Sequence, residues 1–80
     1  MDTELTRIDP ARNAFRFYRL ALWPDLFGGC ALVREWGRIG QPGTLRVVAY
    51  ADEEAAGAAL SRLVSAKQRR GYRPAFKEAA

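Results

Sequence analysis

The clearest period along the chain lies in its second half, where Ala56, Ala59, Leu60, Leu63 and Val64 recur at helical spacing. Asp52 stands where its carboxylate can accept orphan backbone N–H groups, and Glu53 and Glu54 fall in a first turn that favours negative charge. Lys67 to Arg70 put positive charge in the last turn and Gly71 supplies the stop. The pattern predicts a helix of about five turns. Upstream, Phe15 to Trp23 is dense in aromatic and branched residues between Asn13 and Pro24, which predicts a strand. Both of its faces are partly apolar, so the pattern leaves open which one is buried. Asp25 to Gly29 reads as a turn, Cys30 to Ile39 as a second strand, Gly40 to Gly43 as a second turn and Thr44 to Ala51 as a third strand. Tyr72 to Phe76 contains Pro74, which restricts it to a short edge strand or an extended tail. The expected class is α+β: a small antiparallel sheet of three to five strands with one helix, in the C-terminal half, packed on one face.

In the second strand, alternation sends Arg34, Trp36 and Arg38 to one side and Val33, Glu35 and Ile39 to the other. Val33 and Ile39, with Leu45 and Val47 of the third strand, suit the face under the helix. That assignment leaves Arg34, Trp36 and Arg38 on the open face or at its rim. An indole between two guanidinium groups offers a stacking surface with phosphate-binding forks beside it. The same residues also fit a second minor core, with Trp36 filling it and both arginines packed over it.

Composition narrows the chemistry. Eighty residues are expected to make a single domain, residues 1–80, with a core from about residue 5 to residue 76 and termini expected to be flexible. At that size about 63% of the extended surface can be buried, enough for one modest core. The chain has no histidine and one cysteine, Cys30, which excludes an internal disulfide, a Cys/His zinc site and imidazole-based catalysis. Cys30 is expected to pack in its strand. No nucleophile, base and orienting group coexist, so no catalytic residue, metal, cofactor or small-molecule substrate is expected. The longest apolar stretch, Leu20 to Val33, is broken by Pro24, Asp25, Gly28 and Gly29, so neither a signal peptide nor a membrane partner is expected, and the location should be cytoplasmic.

The net charge of +4 is unevenly placed. Residues 1–33 carry four arginines against four acids, whereas residues 34–80 carry nine basic residues against five acids. Arg62, Lys67, Arg69, Arg70, Arg73 and Lys77 follow one another with no acid between them. An anionic partner, nucleic acid above all, fits this tail, and so does a plain solvated basic surface; Lys67, Arg69 and Arg70 also complement the helix dipole.

Val33-Arg34-Glu35-Trp36-Gly37-Arg38-Ile39-Gly40 resembles the signature of the WGR domain family. Two further motifs agree with it. Asn13 precedes Phe15, Phe17, Tyr18, Leu20 and Leu22, similar to the family's first strand, and Lys67-Gln68-Arg69-Arg70-Gly71-Tyr72 is similar to its helix end. The loop Gln41-Pro42-Gly43-Thr44 departs from the family pattern, so no loop contact is carried over. The resemblance implies a non-catalytic module that binds DNA at strand breaks in poly(ADP-ribose) polymerases, with Trp36 stacking near a terminal sugar and Arg38 as its polar partner. It brings no transferase domain, so no ADP-ribosylation is expected. The expected nucleic-acid contacts are Arg34, Trp36, Gly37, Arg38, Lys67, Arg69, Arg70 and Arg73, and the expected partner is DNA with ends or nicks. The alternative is a partner protein docked on an exposed Arg34/Trp36/Arg38 surface.

Overall fold

The computed structural model describes residues 2–75. Five antiparallel strands form one sheet in the order β4-β3-β2-β1-β5. They are β1 (Asp2–Asp9), β2 (Ala14–Pro24), β3 (Cys30–Arg38), β4 (Thr44–Tyr50) and β5 (Arg73–Pro74), and the helix α1 spans Glu53–Arg69 between β4 and β5. The helix ends where its caps place them. The Asp52 carboxylate accepts the Ala55 N–H at 2.8 Å. Gly71 takes φ +94°, and Tyr72 N–H returns to the Lys67 carbonyl at 3.1 Å. The β2–β3 hairpin is held by Asp25, whose carboxylate accepts from Phe27 N–H at 2.7 Å and Gly29 N–H at 2.9 Å.

Strand β1 carries no strand signal in the sequence, because its two large apolar residues, Leu5 and Ile8, are three apart and fall on opposite faces. Leu5 is in the core and Ile8 is exposed. A three-residue 3₁₀ turn, Pro10–Arg12, and Asn13 at φ +52° connect β1 to β2. The short strand expected around Pro74 forms as β5, paired with Leu5 and Thr6 of β1. Phe76 and Lys77, counted with that segment and the basic tail, lie outside the described residues.

The core is built from Leu5, Tyr18, Leu20, Leu22, Cys30 and Leu32 of the sheet against Ala56, Ala59 and Leu60 of α1, closed by Tyr72. Cys30 packs there as a small buried residue. This reverses the face expected from alternation. The side of β3 under the helix carries Leu32, Arg34 and Trp36, while Leu45 and Val47 stand 62% and 54% exposed on the open side. The physical reason is the charge on the open side. Arg19 donates to Glu35 at 2.9 Å and lies 3.6 Å from Glu4, and all three side chains share that face. Covering them with a helix would desolvate three charges and forgo the adjoining Leu20, Leu22 and Leu32 of the other side, where Arg16, Arg38 and Arg46 stay exposed; leaving Leu45 and Val47 in water forfeits only modest apolar burial. The Arg19 guanidinium is held above its ordinary value by the hydrogen bond to Glu35, against an opposing effect of burial, with help from the charge of Glu4.

Candidate nucleic-acid interface

The β2–β3 register builds the site. It sets Tyr18 opposite Trp36 and Arg16 opposite Arg38, all on the helix side at the end of the sheet. The Trp36 ring stacks on Tyr18 with centroids 5.8 Å apart and planes 18° off parallel, and Tyr72 meets Tyr18 edge-on at 6.3 Å. Trp36 is half-buried and packs on the main core. The exposed Arg-Trp-Arg surface expected on the open face or at its rim is therefore corrected: Arg34 and Trp36 are half-buried on the helix side, and Arg38 alone of the three is exposed.

Cations cover this aromatic row. The Arg34 guanidinium lies 5.5 Å from the Trp36 ring and donates to the Tyr18 hydroxyl at 3.4 Å. Lys67 reaches from the last turn of α1 to sit 4.6 Å from the Tyr18 ring and 5.6 Å from that of Tyr72. Burial holds its ammonium below the ordinary lysine value, and the nearby charges of Arg70, Arg34 and Arg16 push in the same direction. Arg38 donates to the Asn13 carbonyl at 3.3 Å and to the Asn13 side-chain oxygen at 3.2 Å, with its guanidinium 5.4 Å from the Phe15 ring.

Gly37 acts through packing. A Cβ there would come within 3.1 Å of Gly43 Cα and 3.5 Å of the Phe17 ring, and one on Gly43 within 2.7 Å of the Trp36 carbonyl oxygen. The two glycines let the β3–β4 turn close against Phe17, which fixes the backbone carrying Trp36. Gly43→Ala is expected to destabilise the fold by ~1–3 kcal/mol, since the blocking atoms include backbone, and a thermal melt checks this.

Of the other expected contacts, Arg70 joins the cluster through its effect on Lys67. Arg69 does not, because it stands two residues from Lys67 on the helix, about 200° around the axis, and is exposed. Arg73 pairs with Thr6, whose face is the open one, so the register separates it from Trp36. Arg16, Tyr18 and Tyr72 were missed by sequence reasoning. Pairing the strands across the short Asp25–Gly29 turn would have found the first two.

A model of the WGR domain family matches residues 1–79. Over 68 residues the chain is 44% identical to "Uncharacterized protein y4dW" of Sinorhizobium fredii, an alignment that takes in 85% of this chain and 33% of that protein. The chain thus spans about a third of the length of this relative. No solved structure matches it. With Trp36, Gly37 and Arg38 at the end of β3 and the family match running nearly end to end, the chain belongs to the WGR domain family, non-catalytic modules that in poly(ADP-ribose) polymerases bind nucleic acid.

Proposed function

We propose that this domain binds DNA, with a preference for ends or nicks, through the helix side of its sheet around Trp36. One observation carries the reading: the three strands β2, β3 and β4 sort their charges by face. Strands β2, β3 and β4 place Arg16, Arg34, Arg38 and Arg46 on the helix side with no acid among them, while Arg19 and Glu35 neutralise each other on the open side. Lys67 adds to the basic face from the last turn of α1, with Arg70 at the helix C-cap near enough for its charge to act on Lys67. Phosphates of an interrupted strand engage this face and release counterions, and the accessible part of Trp36 takes the terminal sugar that only a broken strand presents. No catalytic step, cofactor or small-molecule substrate belongs to this function, and a cytoplasmic location is part of the proposal.

The test is a titration with nicked, blunt-ended and closed circular duplex at two salt concentrations. Nicked and blunt duplex should bind more tightly than closed duplex, and affinity should fall steeply with salt. Equal affinity for closed and broken duplex would reduce the reading to unspecific electrostatics, and no binding near physiological salt would end it.

Lys67→Met separates binding from folding. Because the Lys67 pKa is lowered in the fold, the folded state holds this proton less firmly than the unfolded chain, so its contribution to stability improves as pH rises toward the ordinary lysine value. Removing the charge should leave the fold as stable or more stable at neutral pH. The same change should weaken every DNA ligand and shallow the salt dependence by about 0.9 in log–log slope, the signature of one lost phosphate contact. Thermal melts and salt titrations of the variant check both halves.

A further inference from the structure

The two edges of the sheet differ sharply. One ends in β5, two residues long and carrying Pro74, which cannot donate a ladder hydrogen bond. The other is β4, seven residues reading Thr-Leu-Arg-Val-Val-Ala-Tyr, and among the described residues no strand pairs with its outer edge. Soluble proteins blunt such edges with proline, bulges or inward charges, because an open row of N–H and C=O groups templates pairing with another chain. This strand has no proline and a single charge, and Leu45 and Val47 project from its open face largely exposed. From the β4 edge we infer that the domain forms a symmetric dimer, its β4 pairing antiparallel with β4 of a second copy to make one continuous ten-stranded sheet.

The sequence of β4 selects both the occupant and the register. In a two-fold pairing each residue faces its mirror about the axis. Centring on Arg46 would set guanidinium against guanidinium, a directly opposed like-charge pair that destabilises a sheet. Centring on Val47 sets Val47 opposite Val47, Arg46 opposite Val48, Leu45 opposite Ala49 and Thr44 opposite Tyr50. That register pairs all seven residues of the strand, is apolar at the axis and sets no like charges directly opposite each other. It also joins the apolar ground of the open face, where Ala21, Val33 and Val47 stand in one register row with Trp23 diagonal to Val33, to the same ground on the second copy. Facing residues in an antiparallel pair point to the same side, so both helix sides, each with its Trp36, lie on one surface of the dimer.

Sedimentation equilibrium without nucleic acid tests this, so its outcome stands apart from that of the DNA titration. The wild-type domain should be a dimer at micromolar concentration. Val47→Lys places two ammonium groups on the axis and should raise the dimer dissociation constant at least ~10-fold, while circular dichroism and melting temperature of the diluted monomer stay close to wild type. Register is tested by charge pairing. Leu45→Lys, which faces Glu35 within its own copy, should alone weaken the dimer, and Leu45→Lys combined with Ala49→Glu should restore it, because each copy then meets opposite charge on the other. A wild-type monomer throughout the micromolar range, a dimer indifferent to Val47→Lys, or no rescue by the paired substitution overturns the inference.

Discussion

Leu32→Ala is expected to leave the domain unfolded or nearly so, whereas Leu45→Ala one strand away should be close to silent in the monomer. Leu32 lies on β3 directly under α1, is 1% exposed and belongs to the cluster with Leu20, Leu22 and Leu60. Truncating such a leucine removes its transfer free energy and leaves a cavity, together costing ~2–5 kcal/mol. A domain of this length has about 4–12 kcal/mol of stability in total, so the loss takes a large share of it. Leu45 faces the open side at 62% exposure, and its truncation should change monomer stability by no more than about 0.5 kcal/mol. Urea denaturation at low protein concentration, where self-association does not contribute, reads both values. The face expected from alternation alone reverses the order of the two variants, so the pair decides which side of the sheet the helix covers.

The reason alternation misled at β3 is visible in its neighbours. Along Val33 to Ile39 the odd positions look more apolar than the even ones, which hold Arg34 and Arg38. The pairing partners settle the matter. On the even side Leu32 meets Leu22 and Val48, and Arg34 lies between Leu20 and the exposed Arg46. On the odd side Glu35 meets Arg19, an ion pair that resists burial. A single strand does not reveal this, because the preference belongs to three strands in register. By contrast the helix, its Asp52 cap and both glycine-rich turns were legible, since each depends on residues a few positions apart. Strand β1 was not, because Leu5 is its single core anchor and its pairing along β2 supplies the rest.

The candidate site was legible in part for the same reason. Trp36, Gly37 and Arg38 stand out as a tripeptide, and Lys67 and Arg70 as part of a basic helix end. What groups them is the Tyr18–Trp36 pairing and the return of the chain at Gly71, which brings Tyr72 against Tyr18 and Lys67 over both rings. Arg69 and Arg73 read as equals of Lys67 and Arg70 in sequence. Helical phase takes the first away from the cluster and strand register takes the second to the other face.

Trp36→Ala is expected to damage both folding and binding, and a second substitution tells the two losses apart. The indole is half-buried, stacked on Tyr18 and packed against the core, so removing it should cost about 2 kcal/mol of stability, below the ~3–5 kcal/mol of a fully buried ring. Binding to nicked or blunt duplex should fall by a further ~1–3 kcal/mol, the range for an aromatic group that stacks on a nucleotide, while binding to closed duplex changes little. Trp36→Phe keeps an aromatic ring against Tyr18 and the contact beneath the Arg34 guanidinium, so it should recover most of the stability. Having less ring to offer a ligand, it should recover only part of the preference for broken strands. Melts of the two variants, with titrations below their melting temperatures, give the four numbers needed. If Trp36→Ala remains folded and discriminates broken from closed duplex as the wild type does, the indole takes no part in recognition. If Trp36→Phe restores stability and end preference to the same degree, the role of the ring is to hold Tyr18, Arg34 and Lys67 in place, and the contact to the broken strand belongs to those three.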